Sequence, residues 1–265
     1  CKMLDGVFSF VLYDGSKKTF YAGRDPYGVR PLFMGQTLEG DYFFSSEMKA
    51  IHDKCVSVKQ FDSGSYLEYN HKKFMINKYH NYNYQIKKDI PEEFILKNIR
   101  DLLIKSVEKR LLSDRPIGAL LSGGLDSSLI AGIICKIYKD KGIKTEWGFP
   151  PLKTFSIGLK GATDLDYAIS VADQIYSEHH TIECTESEFL EAIPEVIYNI
   201  ESYDTTTVRA SVGNYLVSKY IKEDKHTDIA VLFNGDGSDE QSGYKYLNKA
   251  PNPQEFNDEC HKLLH

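Results

Sequence analysis

Ile117-Gly118-Ala119-Leu120-Leu121-Ser122-Gly123-Gly124-Leu125-Asp126-Ser127-Ser128 is the stretch on which the reading of this chain turns. Ile117 to Leu121 is a short apolar run, and Leu125, Leu129, Ile130, Ile133 and Ile134 then recur at helical spacing, so the segment joins a strand to a helix. Between the two lie glycines that let backbone N–H groups approach a ligand, and three hydroxyls beside one carboxylate. Unpaired N–H groups and the positive end of a helix favour an anion, and hydroxyls add donors. The residue types therefore describe a phosphate cradle; the alternative is a tight strand-to-helix turn whose glycines serve steric needs. No lysine precedes the helix, which excludes a Walker A loop, and G-x-G-x-x-G is absent as well.

Working outward, strands alternate with helices. Thr154 to Leu159 reads as a strand, Leu165 to Ser177 as a helix capped by Asp164, and His179 to Cys184 as another strand. Helices follow at Phe189 to Ile200 and Val208 to Ile221. Asp228 to Phe233 reads as a strand whose continuous Ile229-Ala230-Val231-Leu232-Phe233 run suits a buried parallel position. The pattern predicts an α/β doubly wound parallel sheet with right-handed crossovers, whose ligands sit at the carboxyl ends of the strands. The loops at Ser122, Gly158 and Asn234 all leave strands at that edge. His179 and His180 should face opposite sides of their strand, a poor arrangement for a shared metal. Asp140 to Lys153 reads as a polar surface connection in which Trp147 is incidental.

Asn234-Gly235-Asp236-Gly237-Ser238-Asp239-Glu240 packs two glycines, a hydroxyl and three carboxylates together. In isolation it is a solvated acidic turn. At a strand end its acids would face the phosphate loop, where they could coordinate magnesium or position an amine. Tyr203-Asp204-Thr205-Thr206-Thr207-Val208-Arg209-Ala210 supplies a helix cap and one cation that capping does not need.

The first part of the chain is different. Val7 to Tyr13 ends in Asp14-Gly15, a hairpin signal, with Lys18 to Ala22 returning. Strands at Pro31 to Gly35, Tyr42 to Ser46 and Ser65 to Asn70, with a short helix from Glu47 to Asp53, give an antiparallel α+β piece. A connector from Tyr79 to Ile90 leads to Pro91-Glu92-Glu93, a helix start, and Phe94, Ile95, Ile99, Leu102, Leu103, Val107 and Leu111 predict an amphipathic helix of about five turns. The domain boundary is expected near residue 85.

At 265 residues and 42% hydrophobic the chain can hold one large or two modest cores. A net charge of −6 with interspersed signs gives no basic face for nucleic acid, and no apolar run approaches a membrane span. Five scattered cysteines without a C-x-x-C pair read as reduced thiols, Cys135 and Cys184 as small core residues. A cytoplasmic location, no membrane partner and a homodimer are the corresponding expectations.

Ser122-Gly123-Gly124-Leu125-Asp126-Ser127 resembles the S-G-G-x-D-S signature of the ATP pyrophosphatase group, whose PP-loop grips the β,γ-pyrophosphate while ATP is cleaved between its α and β phosphates. Leu4-Asp5-Gly6-Val7-Phe8-Ser9-Phe10, Gly23-Arg24-Asp25-Pro26-Tyr27-Gly28-Val29-Arg30-Pro31-Leu32 and Phe44-Ser45-Ser46-Glu47-Met48-Lys49-Ala50-Ile51 resemble the later half of a class II glutamine amidotransferase domain. In that family an N-terminal cysteine hydrolyses glutamine. Cys1 is not expected to be that nucleophile, since it stands three residues before Leu4 and Lys2-Met3-Leu4 lacks small residues. It is taken as an accident of where the chain starts.

Together with Lys249-Ala250-Pro251 these segments resemble the glutamine-dependent asparagine synthetase family in order and spacing. The resemblance implies two parts. Residues 1–85 would be a partial, N-terminal-nucleophile-hydrolase-like amidotransferase domain without its nucleophile. Residues 86–265 would be an adenine nucleotide α-hydrolase-like ATP-pyrophosphatase domain, truncated at its C-terminus.

It further implies that Leu120, Ile157, Gly158, Asn234 and Gly235 surround the adenosine of ATP. Ser122, Gly123, Gly124, Asp126 and Ser127 would hold pyrophosphate, with Asp126 and Asp239 near Mg2+. Thr206, Thr207 and Arg209 would contact aspartate or its acyl-adenylate, and Asp236 would assist ammonia derived from glutamine. The family's motif reads S-G-E-G-S-D-E, so Asp236 stands one methylene short of a glutamate and Asn234 replaces a serine. That shortening leaves two alternatives open: a β-lactam synthetase-like ligase acting on another carboxylate, or a non-catalytic nucleotide-binding module.

Overall fold

The structure, a computed structural model, describes residues 1–70, 73–81, 89–142, 152–224, 228–239, 244, 247 and 249–263. The polar connection around Trp147 and the last acid of the Asn234 turn, Glu240, lie outside the described residues. The chain divides into two compact units, Cys1–Gln85 and Ile86–His265.

The first unit is antiparallel throughout. β1 (Ser9–Asp14), β2 (Thr19–Arg24), β6 (Ser65–Asn70) and β7 (Lys73–Lys78) form one sheet in the order β1-β2-β6-β7. β4 (Tyr42–Ser45), β3 (Phe33–Gln36) and β5 (Ser57–Gln60) form the other. Ala22, Leu32, Met34, Phe61 and Leu67 are buried together as its core. The segment after β2 is pinned by a buried pair of charges. The Arg24 guanidinium donates to the carbonyls of Gly28, Arg30 and Phe61 at 2.6, 2.9 and 2.7 Å, while Asp25 accepts from the backbone of Tyr27, Val29 and Arg30. The helix expected at Glu47 to Asp53 is a single 3-10 turn, Met48–Ala50, which buries none of its own residues and ends at the buried Ile51.

The second unit carries the parallel sheet. β8 (Ile117–Leu120), β9 (Lys153–Leu159), β10 (Glu178–Cys184) and β11 (Val231–Phe233) pair in the order β10-β9-β8-β11, every pairing parallel. α1 (Glu92–Arg110), α2 (Leu125–Lys141), α3 (Thr163–Ile175), α4 (Glu186–Ile200), α5 (Thr205–Glu223) and α6 (Pro253–Leu263) complete it. Alternation along the strands feeds two cores, as a doubly wound sheet requires. Ile117, Ala119 and Leu121 pack with α1, α2 and α3 through Val107, Ile134 and Ala168. Leu120, Phe155 and Ile182 pack instead with Val217 and Ile221 of α5. α4 docks on α5 through Ala192, Val196, Val208 and Val212.

Strand order runs one way from β8 to β10 and then jumps back past β8 to β11. The gap between the β8 and β11 ends is therefore the switch point at which doubly wound sheets bind ligands.

Several local expectations need correction. α3 begins at Thr163 with Ala162 at the cap, so Asp164 lies inside the first turn, favouring the dipole without capping. β11 is shorter and only half-buried, since the backbone N–H groups of Ala230 and Val231 both turn to the Pro116 carbonyl before the ladder begins. α1 buries Val107 alone, and Phe94, Ile95, Ile99 and Leu102 are exposed. The histidine pair behaves as strand geometry requires. His179 bonds the Thr154 hydroxyl at 2.9 Å and the Ser156 hydroxyl at 3.0 Å on one face, whereas His180 stacks on Phe155 on the other. All five cysteines are free, and burial pushes the Cys135 thiol up to about 11.

Candidate active site

The loop after β8 is built around two serines. Ser122 Oγ and Ser127 Oγ lie 2.9 Å apart, Ser127 Oγ accepts from the Ser122 backbone N–H at 3.1 Å, and Ser122 Oγ accepts from Gly124 N–H at 3.3 Å. This curls the loop over the start of α2. The cap residue is Gly124, which has no side chain to cap with. The N–H groups of Leu125, Asp126 and Ser127 consequently lack intrahelical partners and a side-chain cap, which is the arrangement an anion fills. Gly123 has φ +79°, and a Cβ there would lie 2.7 Å from both Ala168 N and Tyr167 Cβ, so α3 presses on the loop from behind. Gly158, at the end of β9, meets Leu165 of the same helix: a Cβ there would lie 3.1 Å from Leu165 Cγ.

The turn after β11 closes on this loop from the other side of the switch point. A Cβ on Gly235 would lie 2.7 Å from Ser127 N, 2.9 Å from the Asp126 carbonyl carbon and 3.0 Å from Asp126 Cβ. Only a glycine lets the acidic turn come this close. The turn carries Asp236 and Asp239, both exposed, and Ser238 Oγ donates to the Gly235 carbonyl at 2.8 Å to tighten it; among the described residues no three His, Cys, Asp or Glu side chains are grouped to hold a metal. Asp236 Oδ2 accepts from Asn234 Nδ2 at 2.9 Å and from Asn214 Nδ2 at 3.4 Å. No hydrogen bond or ion pair to another described residue engages the carboxylates of Asp126 or Asp239.

Magnesium is commonly held by one or two carboxylates with the substrate's phosphates and several waters. Asp126, on the first turn of α2, and Asp239, on the turn that Gly235 presses against it, are unengaged carboxylates of the type that donor set uses.

α5 supplies the third wall. Asp204 caps it, accepting from Thr207 N at 2.8 Å and from the Thr207 hydroxyl at 2.8 Å. These bonds hold the Asp204 carboxyl below its usual range, the Thr207 backbone N–H contributing most. Since the Thr207 hydroxyl proton is spent on Asp204, its oxygen offers a ligand an acceptor, while Thr206 Oγ1 keeps its proton to give. Arg209 is exposed and engages no other described residue. It shares a helix face with Gly213 one turn on, where a Cβ would lie 3.8 Å from Ile157 Cγ2. The guanidinium thus rises from the side of α5 turned to the carboxyl end of β9. Leu120, the last residue of β8, and Ile157, two residues before the end of β9, are half-buried in the α5-side core toward the same edge.

The structure thus brings the expected residues of β8, β9, β11 and α5 to the carboxyl edge of one sheet. Asn214 is the residue that sequence reasoning missed. Mid-helix and exposed, it looks like surface, and nothing in its spacing marks the carboxylate it reaches.

Comparison with known proteins bears on the same segments. A model of the asparagine synthase family matches residues 98–261, and one of the glutamine amidotransferase domain matches residues 1–99. Asparagine synthetase [glutamine-hydrolyzing] 2 of Arabidopsis thaliana is 41% identical over 98% of this chain and 44% of its own length. The human asparagine synthetase [glutamine-hydrolyzing] is 43% identical over 99% of this chain and 50% of its own length. The chain spans about half the length of these curated relatives. Among solved structures, glutamine-dependent NAD+ synthetase from Acinetobacter baumannii in complex with ADP covers 79% of this chain and 38% of its own, at 16% identity and a TM-score of 0.38, too faint a likeness to argue from. With the loop after β8, the cap of α5 and the turn after β11 all inside the longer match, the chain belongs to the asparagine synthase family.

Proposed function

We propose that the full-length protein is an asparagine synthase (glutamine-hydrolysing), a carbon–nitrogen ligase that amidates aspartate at the expense of ATP with ammonia drawn from glutamine. The observation that carries this reading is the uncapped start of α2 meeting the acidic turn at the switch point: an anion site and carboxylates side by side. The aspartate β-carboxylate attacks the α-phosphate of ATP, giving β-aspartyl-AMP and pyrophosphate. The free N–H groups of Leu125 to Ser127 and the hydroxyls of Ser122 and Ser127 receive the pyrophosphate, and Leu120, Ile157, Gly158, Asn234 and Gly235 line the adenosine. Magnesium, held by Asp126 and Asp239, would supply positive charge to the phosphates.

Arg209, a cation of this edge that engages no other described residue, balances the charge of the substrate or the transferring group. Thr206 donates to a carboxylate oxygen while Thr207 accepts from an ammonium, a pairing suited to an amino acid. Ammonia then displaces AMP with Asp236 assisting. The scattered free cysteines accord with a reducing, cytoplasmic setting. A homodimer is part of the same reading, to be checked by sedimentation.

The test is pyrophosphate release by the full-length protein given aspartate, ATP and ammonia, with Asp126→Ala losing it while circular dichroism stays unchanged. Release by other carboxylic acids and not by aspartate would move the assignment to another ligase. Binding of ATP with no release for any acid would replace it by a nucleotide-binding module.

A further inference from the structure

Asp236 is held from two sides. Its Oδ2 accepts from the Asn234 amide at 2.9 Å, on its own turn, and at 3.4 Å from Asn214, which reaches it from α5 across 22 positions of sequence. Gly235, between Asn234 and Asp236, is pressed against the first turn of α2, so the backbone bearing the carboxylate is fixed as well. Oδ1 takes no hydrogen bond from a described residue. Asn214 itself is exposed on a helix whose buried positions are Val208, Val212, Val217 and Ile221. A mid-helix asparagine is a poor helix former whose side chain usually turns to its own backbone. Here the amide turns away from its own helix to a carboxylate on the neighbouring strand's turn.

We propose that Asn214 is a positioning residue: with Asn234 it fixes Oδ2 of Asp236 and so reserves Oδ1 for the amine that enters the acyl-adenylate. The proposal rests on the ligase reading above and adds to it the residue that makes a short carboxylate serve. An exposed aspartate turns about two side-chain torsions, and a loss of aim near 1 Å costs about 100-fold in rate. Two donors on one oxygen, the Asn234 amide at 2.9 Å and the longer Asn214 contact at 3.4 Å, narrow that freedom. In the step served, the ammonia nitrogen forms a bond to the acyl carbon. The bond from that carbon to the AMP oxygen breaks with its electron pair staying on AMP, and the surplus proton of the nitrogen passes to Oδ1.

The experiment uses the full-length enzyme and two readouts, aspartate-dependent ATP–pyrophosphate exchange and ammonia-dependent amide formation. Alanine is the better helix former, so Asn214→Ala keeps α5. The expected result is a fall of about tenfold in kcat for amide formation, the scale of one lost hydrogen bond to a charged group. Exchange and the KM for aspartate stay unchanged, and Asn214→Gln, which retains a donor, recovers part of the loss. Within an Asp236→Ala background, Asn214→Ala costs nothing further, because the two act as a unit. Amide formation at the wild-type rate, an equal fall in exchange, or a loss that persists without Asp236 would each overturn the assignment. Wild-type enzyme lacking exchange would overturn the ligase reading beneath it.

Discussion

Replacing Gly235 by alanine puts a methyl group where the start of α2 stands. The new Cβ would lie 2.7 Å from Ser127 N, and ordinary van der Waals contact begins near 3.4 Å, so one side must retreat by about 0.7 Å (3.4 − 2.7). The atoms in the way are backbone, and neither can rotate aside. The α2 start is fixed by α3 behind Gly123, which leaves the turn after β11 to move, carrying Asp236 and Asp239 away from Asp126. A shift of this size in an overpacked contact costs about 1–3 kcal/mol of stability. Misplacement approaching 1 Å at a reacting centre costs up to about 100-fold, so a loss of between about tenfold and a hundredfold in exchange kcat/KM is expected. The assay is ATP–pyrophosphate exchange in the full-length enzyme, run beside thermal unfolding. Wild-type kcat/KM, whether or not the melting temperature falls, would refute the claim that the approach of these two loops shapes the site.

Two further outcomes concern stability. His179 sits half-buried among Thr154, Ser156 and Ser177, and desolvation, with help from His180, lowers its pKa from the usual 6.5. Above pH 6.5 both folded and unfolded forms are neutral and the contribution is whole. As pH falls below that value the unfolded chain takes up the proton first, so stability declines until the pH passes the folded value. Urea midpoints measured across this range should fall toward acid in the wild type and fall less in His179→Gln. Thr185 and Glu188 form a reciprocal capping box at the start of α4, Thr185 Oγ1 accepting from Glu188 N and Glu188 accepting from Thr185 N. Thr185→Ala should cost about 1 kcal/mol. A melting temperature lower by about 2–4 °C is the matching observation.

The parallel sheet was legible because the apolar period switches cleanly from strand to helix at Leu121, strands alternate with helices after it, and Ile229 to Phe233 is a continuous apolar run. β5 and β7 were not legible, since Ser57, Lys59 and Gln60, or Lys73, Asn77 and Lys78, present polar faces whose partners are supplied only by the sheet. β11 was over-read, because Ile229 to Phe233 is apolar throughout and only the pairing with Pro116 shows where the ladder begins. α1 was read correctly as a helix while its apolar stripe misled about burial, since periodicity reports a face and not what lies against it. At the site, the residues that stood out were those whose type is strange for their place: glycines in a row, acids at a strand end, an arginine past a cap. Asn214 is ordinary for its place, and only the third dimension gives it a partner.

The contact between β8 and β11 has a consequence for folding. Leu120 and Val231 are 111 positions apart in the chain, and the intervening β9, β10 and four helices stand between them in order. The donors of the loop and the acids of the turn face one another only after that long loop has closed, the slow and entropically costly kind of pairing. Under the proposed function, a nucleotide held across the seam would bind only where closure is complete and would draw the equilibrium toward closure by RT ln(1 + [L]/Kd). In hydrogen exchange, bound ATP should slow amides throughout the sheet, β10 included, although β10 lends the ligand no side chain.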